Sequence, residues 1–345
     1  MKFNINTLNK YKKEGWIMAH EHKTLPLIIW NYTQATQYEG NWDNITLHCR
    51  GMVTDTEGNV VAKGFTKFFN YEENRTVIQA GNISIYEKLD GSYIQLFYYD
   101  GEWIINSKGS FYSDHVEWAW EILEESYLKY IELPQNVTYC FELIHPENRI
   151  VVNYEGSSDL IFLSAFKKGT ELPGYKPKMR KSGFGVVYEY LVPMFDYENL
   201  KNNQIENKEG YVIKFSNGER CKIKFEDYIR LHRIMTEVSS YRVYEALRDG
   251  VDLNVWLEGV PDEFFNFVKT VSNEIMTEFH TLKAHIHFTY VKIISQGVMT
   301  DKEFAKLAKG TSHPSSMFNL RNSKDIDKHI WKEVKPELKY PFKDE

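Results

Sequence analysis

Short runs of alternating apolar and polar residues, paired around tight-turn dipeptides, fill the first two thirds of the chain. In SYIQLFYYDGEWIINSKG, aromatic and β-branched residues flank Asp100-Gly101, and in GYVIKFSNGERCKIKF two alternating runs flank Asn217-Gly218. An Asp-Gly or Asn-Gly pair between such runs is a strong β-hairpin signal. GMVTDTEGNVVAKGF predicts a further hairpin around Glu57-Gly58. These patterns predict a strand-rich core of antiparallel pairs.

Other segments add buried strands and a helix to this core. VTYCFELI and DLIFLSAF are apolar enough for strands buried on both faces. SDHVEWAWEILEESYLKYIE has helical spacing of Val116, Trp120, Leu123 and Tyr127 after an acidic start. The first part of the chain is therefore expected to be α+β.

The periodicity becomes helical from about Asp227. One run, DYIRLHRIMTEVSSYRVYEALRDG, ends at Gly250, and a longer one begins after Pro261 and ends near Gly297. The terminal KPELKYPFKDE is expected to fray. We predict an α+β domain over residues 1–240 and an all-helical C-terminal domain over residues 241–345.

Composition narrows the class of protein. None of the windows in the 345 residues approaches the roughly 18 apolar residues of a membrane span, and the N-terminal stretch has no apolar signal region. The three cysteines are scattered, which favours reduced, buried thiols over disulfides or a zinc site. We expect a cytoplasmic protein that makes no membrane contact.

The charge balance argues against a protein that coats nucleic acid. The formal net charge is -6, whereas non-specific nucleic-acid binding usually requires a strongly basic domain. A local excess of positive charge lies between Phe166 and Lys181, where six basic residues accompany the single acid Glu171. This run fits either a solvated loop or a contact with a phosphate backbone.

The segment EKLDGS places Lys88 at the end of a predicted strand, before an Asp-Gly turn. A K-x-D-G tetrapeptide alone also fits a surface hairpin. A lysine in this setting is the nucleophile of covalent nucleotidyl transferases, where it attacks the α-phosphate of a nucleotide. Lysine attacks only when neutral, so such a site needs nearby cations, a metal or desolvation, and further lysines and carboxylates should follow downstream.

The downstream sequence contains such residues at predicted strand ends. Lys108 lies in SKGS, at the close of the first hairpin, and Glu142 interrupts a hydrophobic strand, where an acid is costly without a partner. Glu209 opens the next hairpin, and Lys222 and Lys224 share one face of its second strand. Two cations on one face fit a phosphate clamp, although a K-x-K pair also occurs on solvated strand edges.

In this order the motifs resemble the covalent nucleotidyl transferase superfamily, and within it the phage RNA ligase 1 family of tRNA-repair RNA ligases. The resemblance covers about residues 30–235. It is carried by C-R-G at Cys49, K-F-F-N at Lys67, K-L-D-G at Lys88, S-K-G-S at Ser107, N-R-I-V at Asn148, E-G-Y-V at Glu209 and K-I-K at Lys222, followed by Tyr228, Leu231 and His232. It implies an antiparallel-sheet nucleotidyltransferase (ATP-grasp-like ligase) core.

The resemblance also implies roles for these residues. Lys88 would become adenylylated by ATP. Three cations, Arg50, Lys67 and Lys108, would hold the ATP phosphates, while Lys222 and Lys224 would contact the α-phosphate and stabilise its transition state.

The resemblance further implies a divalent metal ion and a base contact. Asp90, Glu142 and Glu209 would position Mg²⁺, with Mn²⁺ as an alternative, through its bound waters. Glu142 and Glu209 would also contact the nucleotide, Glu142 through the ribose. Trp30, in place of the family's Tyr, is the candidate adenine contact.

The implied activity is joining of 5'-phosphate and 3'-hydroxyl RNA ends, with tRNA as the candidate substrate. A DNA ligase and a GTP-using capping enzyme are rivals, but both usually add an oligonucleotide-binding barrel where this chain is predicted to be helical. A binding module that kept the fold and lost the reaction is a further rival. No residue pattern reads a 2'-hydroxyl directly, so the RNA preference rests on the resemblance. The oligomeric state is left open.

Overall fold

The computed structural model describes residues 1–77, 82–126, 132–191, 196–257 and 264–341. The chain divides into two compact units, Met1–Met235 and Thr236–Glu345. The first unit ends shortly before residue 240, where the sequence predicts its domain boundary.

The first unit is built mainly of strands. In chain order they are β1 Ile17–Glu21, β2 Leu27–Tyr32, β3 Arg50–Asp55, β4 Val60–Ala62, β5 Phe69–Asn70, β6 Ser84–Lys88, β7 Ser92–Tyr99, β8 Glu102–Ser107, β9 Thr138–Ile144, β10 Asp159–Lys167, β11 Thr170–Glu171, β12 Glu189–Tyr190, β13 Gly210–Lys214 and β14 Arg220–Lys224.

Its helices lie before, between and after the strands. They are α1 Ile5–Lys13, α2 Gln34–Glu39, α3 Asp114–Ser126, α4 Tyr175–Lys181, α5 Tyr197–Asn202 and α6 Glu226–Thr236, with 3-10 turns at Tyr71–Glu73 and Pro146–Asn148.

The described strands form three sheets. The first has the order β1-β2-β3-β4, the second β11-β10-β9-β7-β8 and the third β12-β6-β13-β14-β5. Neighbouring strands are antiparallel except β14 and β5, which pair in parallel. The mixed α+β class and its antiparallel sheets are therefore confirmed, and the parallel edge pair was not expected.

The predicted hairpins are present with the expected registers. β7 pairs with β8 around Asp100-Gly101, and both turn residues have positive φ, as a two-residue hairpin turn requires. β13 pairs with β14 around the Asn217-Gly218 turn. The two apolar segments form β9 and β10, which lie side by side in the second sheet.

Helix α3 covers one face of the second sheet. Its buried residues Val116, Ala119, Ile122 and Leu123 pack with sheet residues of β7 to β10. Spacings of three and four residues place these side chains on one helix face, which explains why the segment is helical. Trp120 is only partly buried against this core, and Tyr127 lies outside the described residues.

A separate core supports the third sheet. Ile85, Tyr211, Ile213 and Ile223 from the sheet pack with residues of α5 and α6, including Tyr228. This packing fixes the ends of β6, β13 and β14, where the predicted chemical residues lie.

In its described part, the second unit contains helices and no strands. They are α7 Ser240–Arg248, α8 Leu253–Leu257, α9 Phe265–Ile294, α10 Asp301–Lys309, α11 Pro314–Arg321 and α12 Asp327–Glu333. The all-helical character after β14 is therefore confirmed within the described ranges. Pro261, the predicted start of the long helix, lies outside them.

The structure adds detail to two expectations for this region. The run from Asp227 to Gly250 is divided into α6 and α7. Glu237, between them, has a left-handed φ of 51°, and the Ser239 side chain caps α7 by accepting a hydrogen bond from Arg242 N. The terminal segment is tied down as far as Lys339. Ser240 N donates to the Lys339 carbonyl at 2.9 Å, and Lys339 N donates to Ser240 Oγ at 2.8 Å.

The cysteines and the hydropathy of the helices were both the subject of expectations from composition. Cys49, Cys140 and Cys221 are free and buried, as expected, and burial raises the pKa of each thiol to about 12. No helix in the described ranges is both long and apolar enough to cross a membrane.

Candidate functional site

Lys88 ends β6 and contacts a carboxylate on the neighbouring strand segment. Its Nζ lies 2.6 Å from Glu209 Oε2, and Lys224 Nζ lies 3.2 Å from Glu209 Oε1. The register that pairs Gly210 with both Lys88 and Lys224 places the three side chains together. One buried carboxylate therefore joins two of the predicted lysines, which a carboxylate with two acceptor oxygens can do.

The turn after Lys88 carries the chain from the third sheet to the second. An added Cβ at Gly91 would lie 2.3 Å from the Leu143 carbonyl oxygen, so only glycine permits this close approach. The tight turn places Lys88 beside β9.

Asp90 is buried and its carboxylate is fully engaged. Oδ2 accepts hydrogen bonds from Val151 N at 2.8 Å and Val152 N at 2.9 Å, and Oδ1 accepts one from Tyr228 Oη at 2.7 Å. The Asp90 amide in turn donates to Tyr154 Oη at 2.9 Å. These contacts favour a positioning role for Asp90 over the predicted metal contact.

An open cavity of about 720 Å³ lies beside Lys88, between the second and third sheets. Its walls combine apolar and aromatic side chains with a few charges: Phe65, Phe68, Tyr86, Leu89, Tyr93, Leu163, Val187, Val212, Arg50, Glu87, Lys88, Glu142, Glu171, Lys176 and Arg220. We call it the first cavity. It can accept a flat, partly apolar group while charged groups line the same space.

Arg50 brings a cation from the first sheet to this cavity. Its guanidinium carbon lies 4.4 Å from the centre of the Tyr93 ring and 5.8 Å from that of Phe68. Its buried NH1 group has no hydrogen-bond partner among the described residues. A buried donor without a partner is costly, so Arg50 is suited to bind an anion that enters the cavity.

Glu142 extends from β9 into the first cavity. Burial is the main cause that raises its pKa, to about 7, and the neighbouring Glu209 and Asp90 add to the rise while Lys88 and Arg50 oppose it. The Glu142 carboxylate accepts no hydrogen bond from the described residues. It is therefore open to a ligand cation or hydroxyl.

The two remaining predicted phosphate lysines lie around an aromatic ring of the first sheet. Lys67 Nζ is 5.3 Å and Lys108 Nζ 5.0 Å from the centre of the Tyr32 ring. Lys67 also faces Trp42, and its Nζ donates a hydrogen bond to Gln37 Oε1 at 3.2 Å. These two cations lie near each other but outside the wall of the first cavity.

Lys222 lies on the same strand as Lys224, two residues earlier, and is buried. Residues two apart on a strand share a face, so both lysines project to the same side of the third sheet. The structure therefore retains the predicted pair.

The prediction for Trp30 was wrong. Its side chain is 1% exposed in a core with Leu8, Ile17 and Met52, and its Nε1 donates to Thr54 Oγ1 at 2.9 Å. A nucleobase cannot reach it. The aromatic rings that line the first cavity are instead Phe65, Phe68, Tyr86 and Tyr93.

Sequence reasoning did not single out the far end of the first cavity. Lys176 Nζ lies 3.4 Å from the centre of the Tyr86 ring and 3.2 Å from Glu189 Oε2. Burial lowers the pKa of Lys176, and Glu189 opposes this. The sequence did show a basic run here, but only the docking of α4 decides which of its lysines turns inward.

Glu171, the single acid of that run, also lines the first cavity. Oε1 lies 2.6 Å from both Arg220 NH2 and Ser164 Oγ, and Oε2 lies 2.7 Å from Lys214 Nζ. Burial alone would raise the pKa of Glu171, but Arg220 and these hydrogen bonds lower it to about 2. An acid within a basic run was the available signal.

The carboxylates around Lys88 fit a magnesium-type ion in part. Within the described ranges no group of three or more His, Cys, Asp or Glu side chains is arranged to hold a metal. Mg²⁺, however, commonly uses one or two carboxylates and completes its shell with water and substrate phosphates. The open carboxylate of Glu142, with Glu209 nearby, matches that smaller donor set.

Comparison with known proteins gives a family match. A family model described as RNA ligase matches residues 48–229, more than half of the chain. A protein of Autographa californica nuclear polyhedrosis virus, whose name describes a bifunctional polynucleotide kinase/RNA ligase, is 25% identical over 237 residues, 60% of this chain. The match spans 33% of that viral protein. An RNA ligase of Rhodothermus phage RM378 is 25% identical over an alignment of 368 positions, gaps included, that covers 82% of each chain.

Two solved structures show more remote similarity. A Naegleria gruberi RNA ligase mutant with ATP and Mn has a TM-score of 0.37 and 14% identity, covering 44% of this chain and 52% of that chain. A protein from Aquifex aeolicus titled as an ATP-dependent DNA ligase has a TM-score of 0.46 and 12% identity, covering 93% of this chain and all of that one.

Proposed function

The chain belongs to the RNA ligase family, and from that premise we propose that it is an ATP-dependent RNA ligase whose Lys88 carries AMP. Its substrates are RNA ends with a 5'-phosphate and a 3'-hydroxyl, with broken tRNA loops as the candidate RNA. The observation that carries the proposal is the contact of Lys88, in the wall of the first cavity, with Glu209, whose other carboxylate oxygen contacts Lys224.

In the first step, Lys88 Nζ attacks the α-phosphorus of ATP. The neutral amine forms a P–N bond, the bond between the α-phosphorus and the bridging oxygen breaks, pyrophosphate leaves with that electron pair, and Nζ releases one proton to solvent. In this structure Lys88 is ion-paired with Glu209, so that pair must open before attack. Lys224 contacts the other carboxylate oxygen of Glu209. Its ammonium group would stabilise the negative charge that develops on the α-phosphate oxygens in the transition state.

The other residues bind and orient the nucleotide. The aromatic and apolar walls of the first cavity take the base and ribose. Arg50, with its unpartnered NH1, binds a phosphate oxygen, and Lys67 and Lys108 hold the leaving pyrophosphate. In-line attack needs that group opposite Lys88, which positioned cations favour.

A divalent ion, Mg²⁺ or Mn²⁺, would be held by Glu142 and Glu209 together with the ATP phosphates. It would supply charge neutralisation to the phosphoryl oxygens. An ion at Glu142 would also relieve the repulsion between this carboxylate, Glu209 and Asp90.

Two transfers complete the reaction. An oxygen of the RNA 5'-phosphate attacks the AMP phosphorus, the P–N bond to Lys88 breaks as Nζ takes up a proton from solvent, and a 5'-5' pyrophosphate links AMP to the RNA. The 3'-hydroxyl then attacks the RNA 5'-phosphorus and releases its proton to solvent, a phosphodiester forms, and AMP leaves with the electron pair.

The test is end joining by Lys88→Ala with two substrates. With ATP and 5'-phosphorylated RNA, we expect no joined product, because the nucleophile is missing. With RNA already adenylylated at its 5' end, joining should persist in part, since only the first step needs Lys88. Lys10→Ala, an exposed lysine on α1, serves as the control. ATP-dependent joining by Lys88→Ala would refute the proposal, and equal use of DNA ends would remove its RNA specificity.

A further inference from the structure

Lys63 is a buried lysine that the proposed reaction does not use. It follows β4 directly and is 4% exposed. Its Nζ donates a 3.3 Å hydrogen bond to the carbonyl of the adjacent Gly64, and the described residues place no carboxylate within ion-pair distance of it. A lysine ammonium has three donors, so two remain without a protein partner.

Burial of such a group is unfavourable unless a partner completes it. A buried cation without a counter-ion loses its hydration, and no ion pair offsets the free-energy cost of that loss. Burial lowers the pKa of Lys63 to about 8, while the nearby thiols of Cys140 and Cys49 oppose this. Among the described residues, the Lys63 ammonium therefore has no anionic partner within ion-pair distance.

Lys63 lines a second open cavity, of about 760 Å³. This second cavity shares Phe65, Phe68, Glu171 and Arg220 with the first cavity, so the two adjoin. The other charged residues that line the second cavity are Lys67, Glu171, Glu219 and Arg220. Arg220 is already bound to Glu171, and Lys67 donates a hydrogen bond to Gln37 Oε1. Two N–H donors of the Lys63 ammonium group therefore remain available to a ligand in the second cavity.

We propose that Lys63 and the second cavity form a phosphate-binding subsite next to the nucleotide site. The inference rests on the proposed function, because both substrates of an RNA ligase carry phosphates. The phosphate could come from the triphosphate of ATP or from the backbone of the RNA strand, and both present the same compact oxygen anion to the ammonium group.

The test is thermal unfolding of the full chain with Lys63→Met, which keeps the length of the side chain and removes its charge. Without a probe, the variant should melt at the same temperature as the unchanged protein or above it, because an unpaired charge has been removed. With sodium tripolyphosphate, or with a single-stranded RNA that has a 5'-hydroxyl, the stabilising shift should fall by at least half. Lys13→Met, an exposed lysine on α1, should keep the full shift.

An undiminished shift in Lys63→Met with both probes would overturn the proposal. If Lys63→Met does not fold, Lys63→Gln replaces it, since glutamine keeps a donor without the charge. This readout needs no catalysis. If the unchanged protein forms no AMP adduct on Lys88, the proposed function is refuted. The thermal shift with tripolyphosphate would still test phosphate binding at Lys63 independently.

Kinetics then distinguish the two sources of phosphate. If the triphosphate binds Lys63, the variant should raise the KM for ATP in adduct formation at least tenfold and leave sealing of adenylylated RNA unchanged. If the RNA backbone binds there, the KM for adenylylated RNA should rise instead. Unchanged KM values for both substrates would contradict the subsite.

Discussion

At the scale of single residues, the bridge made by Glu209 sets the geometry of the proposed nucleophile. Replacing this carboxylate by an amide in Glu209→Gln keeps its size but removes the charge that holds Lys88 and Lys224. We expect adduct formation to slow by roughly 10²-fold, as for a misplaced reacting group. Single-turnover measurement of labelled AMP transfer checks this.

The control for this change is Glu206→Gln, an exposed acid three residues away. It should transfer AMP at the rate of the unchanged protein. Equal rates for both variants would show that the bridge has no part in the reaction.

Asp90 illustrates a residue that positions its neighbours. Tyr228→Phe removes the hydroxyl that donates to Asp90 Oδ1 and leaves a buried carboxylate oxygen without this partner. We expect a loss of about 1.5–3 kcal/mol in the free energy of unfolding, as for hydrogen bonds to charged groups. Urea unfolding measures it, with the exposed Tyr188→Phe as control. Identical midpoints for the two variants would argue against the role given to this contact.

Residue types and order were enough to predict which side chains meet, but not how each is oriented. Lys88, Glu209 and Lys224 come together as predicted, because strand registers are set by turns that the sequence shows. Trp30 could not be placed, since its burial depends on which face of the first sheet packs on α1. The catalytic and binding roles of these residues stay proposals.

At the scale of secondary-structure elements, turn residues made the hairpins predictable and long-range pairing did not. The parallel contact of β5 with β14 joins segments about 150 residues apart, as Phe69 with Cys221, and two-residue strands carry no periodicity. The division between α6 and α7 was missed because its signal, a serine cap at Ser239, lies inside a longer run with helical periodicity.

The link between β11 and the third sheet through Glu171 should make stability depend on pH. The pKa of Glu171 is lowered to about 2 in the folded protein, so its stabilising contribution is present above the ordinary carboxyl value of 4.5 and is lost as pH falls towards 2. Glu171→Gln should reduce the free energy of unfolding by about 3 kcal/mol at pH 7 and by much less near pH 2.5.

Denaturant unfolding across this pH range tests the link, with the exposed Glu124→Gln of α3 as control. A Glu171→Gln deficit that stays constant between pH 7 and pH 2.5 would mean that the charge of Glu171 is not its cause.

At the scale of the whole molecule, every residue assigned to the reaction lies in the unit Met1–Met235. A chain that ends at Glu237, between α6 and α7, should therefore fold and form its AMP adduct at a rate close to that of the full chain. Circular dichroism and labelled AMP transfer check the two points. A folded shortened chain that takes up no AMP would show that the helical unit takes part in the first step.

The same shortened chain tests the helical unit in the later steps. If sealing of a broken tRNA loop is lost while AMP transfer is kept, the helices contribute to RNA recognition. Unchanged sealing would assign them no part in specificity.

The most direct test of the central claim is intact-protein mass spectrometry after incubation with ATP and Mg²⁺, followed by peptide mapping. We expect the mass of one added AMP on Lys88, its absence in Lys88→Ala, and its removal by pyrophosphate or by RNA with a 5'-phosphate. A protein that gains no AMP, or gains it on a lysine other than Lys88, would contradict a mechanism through Lys88-AMP.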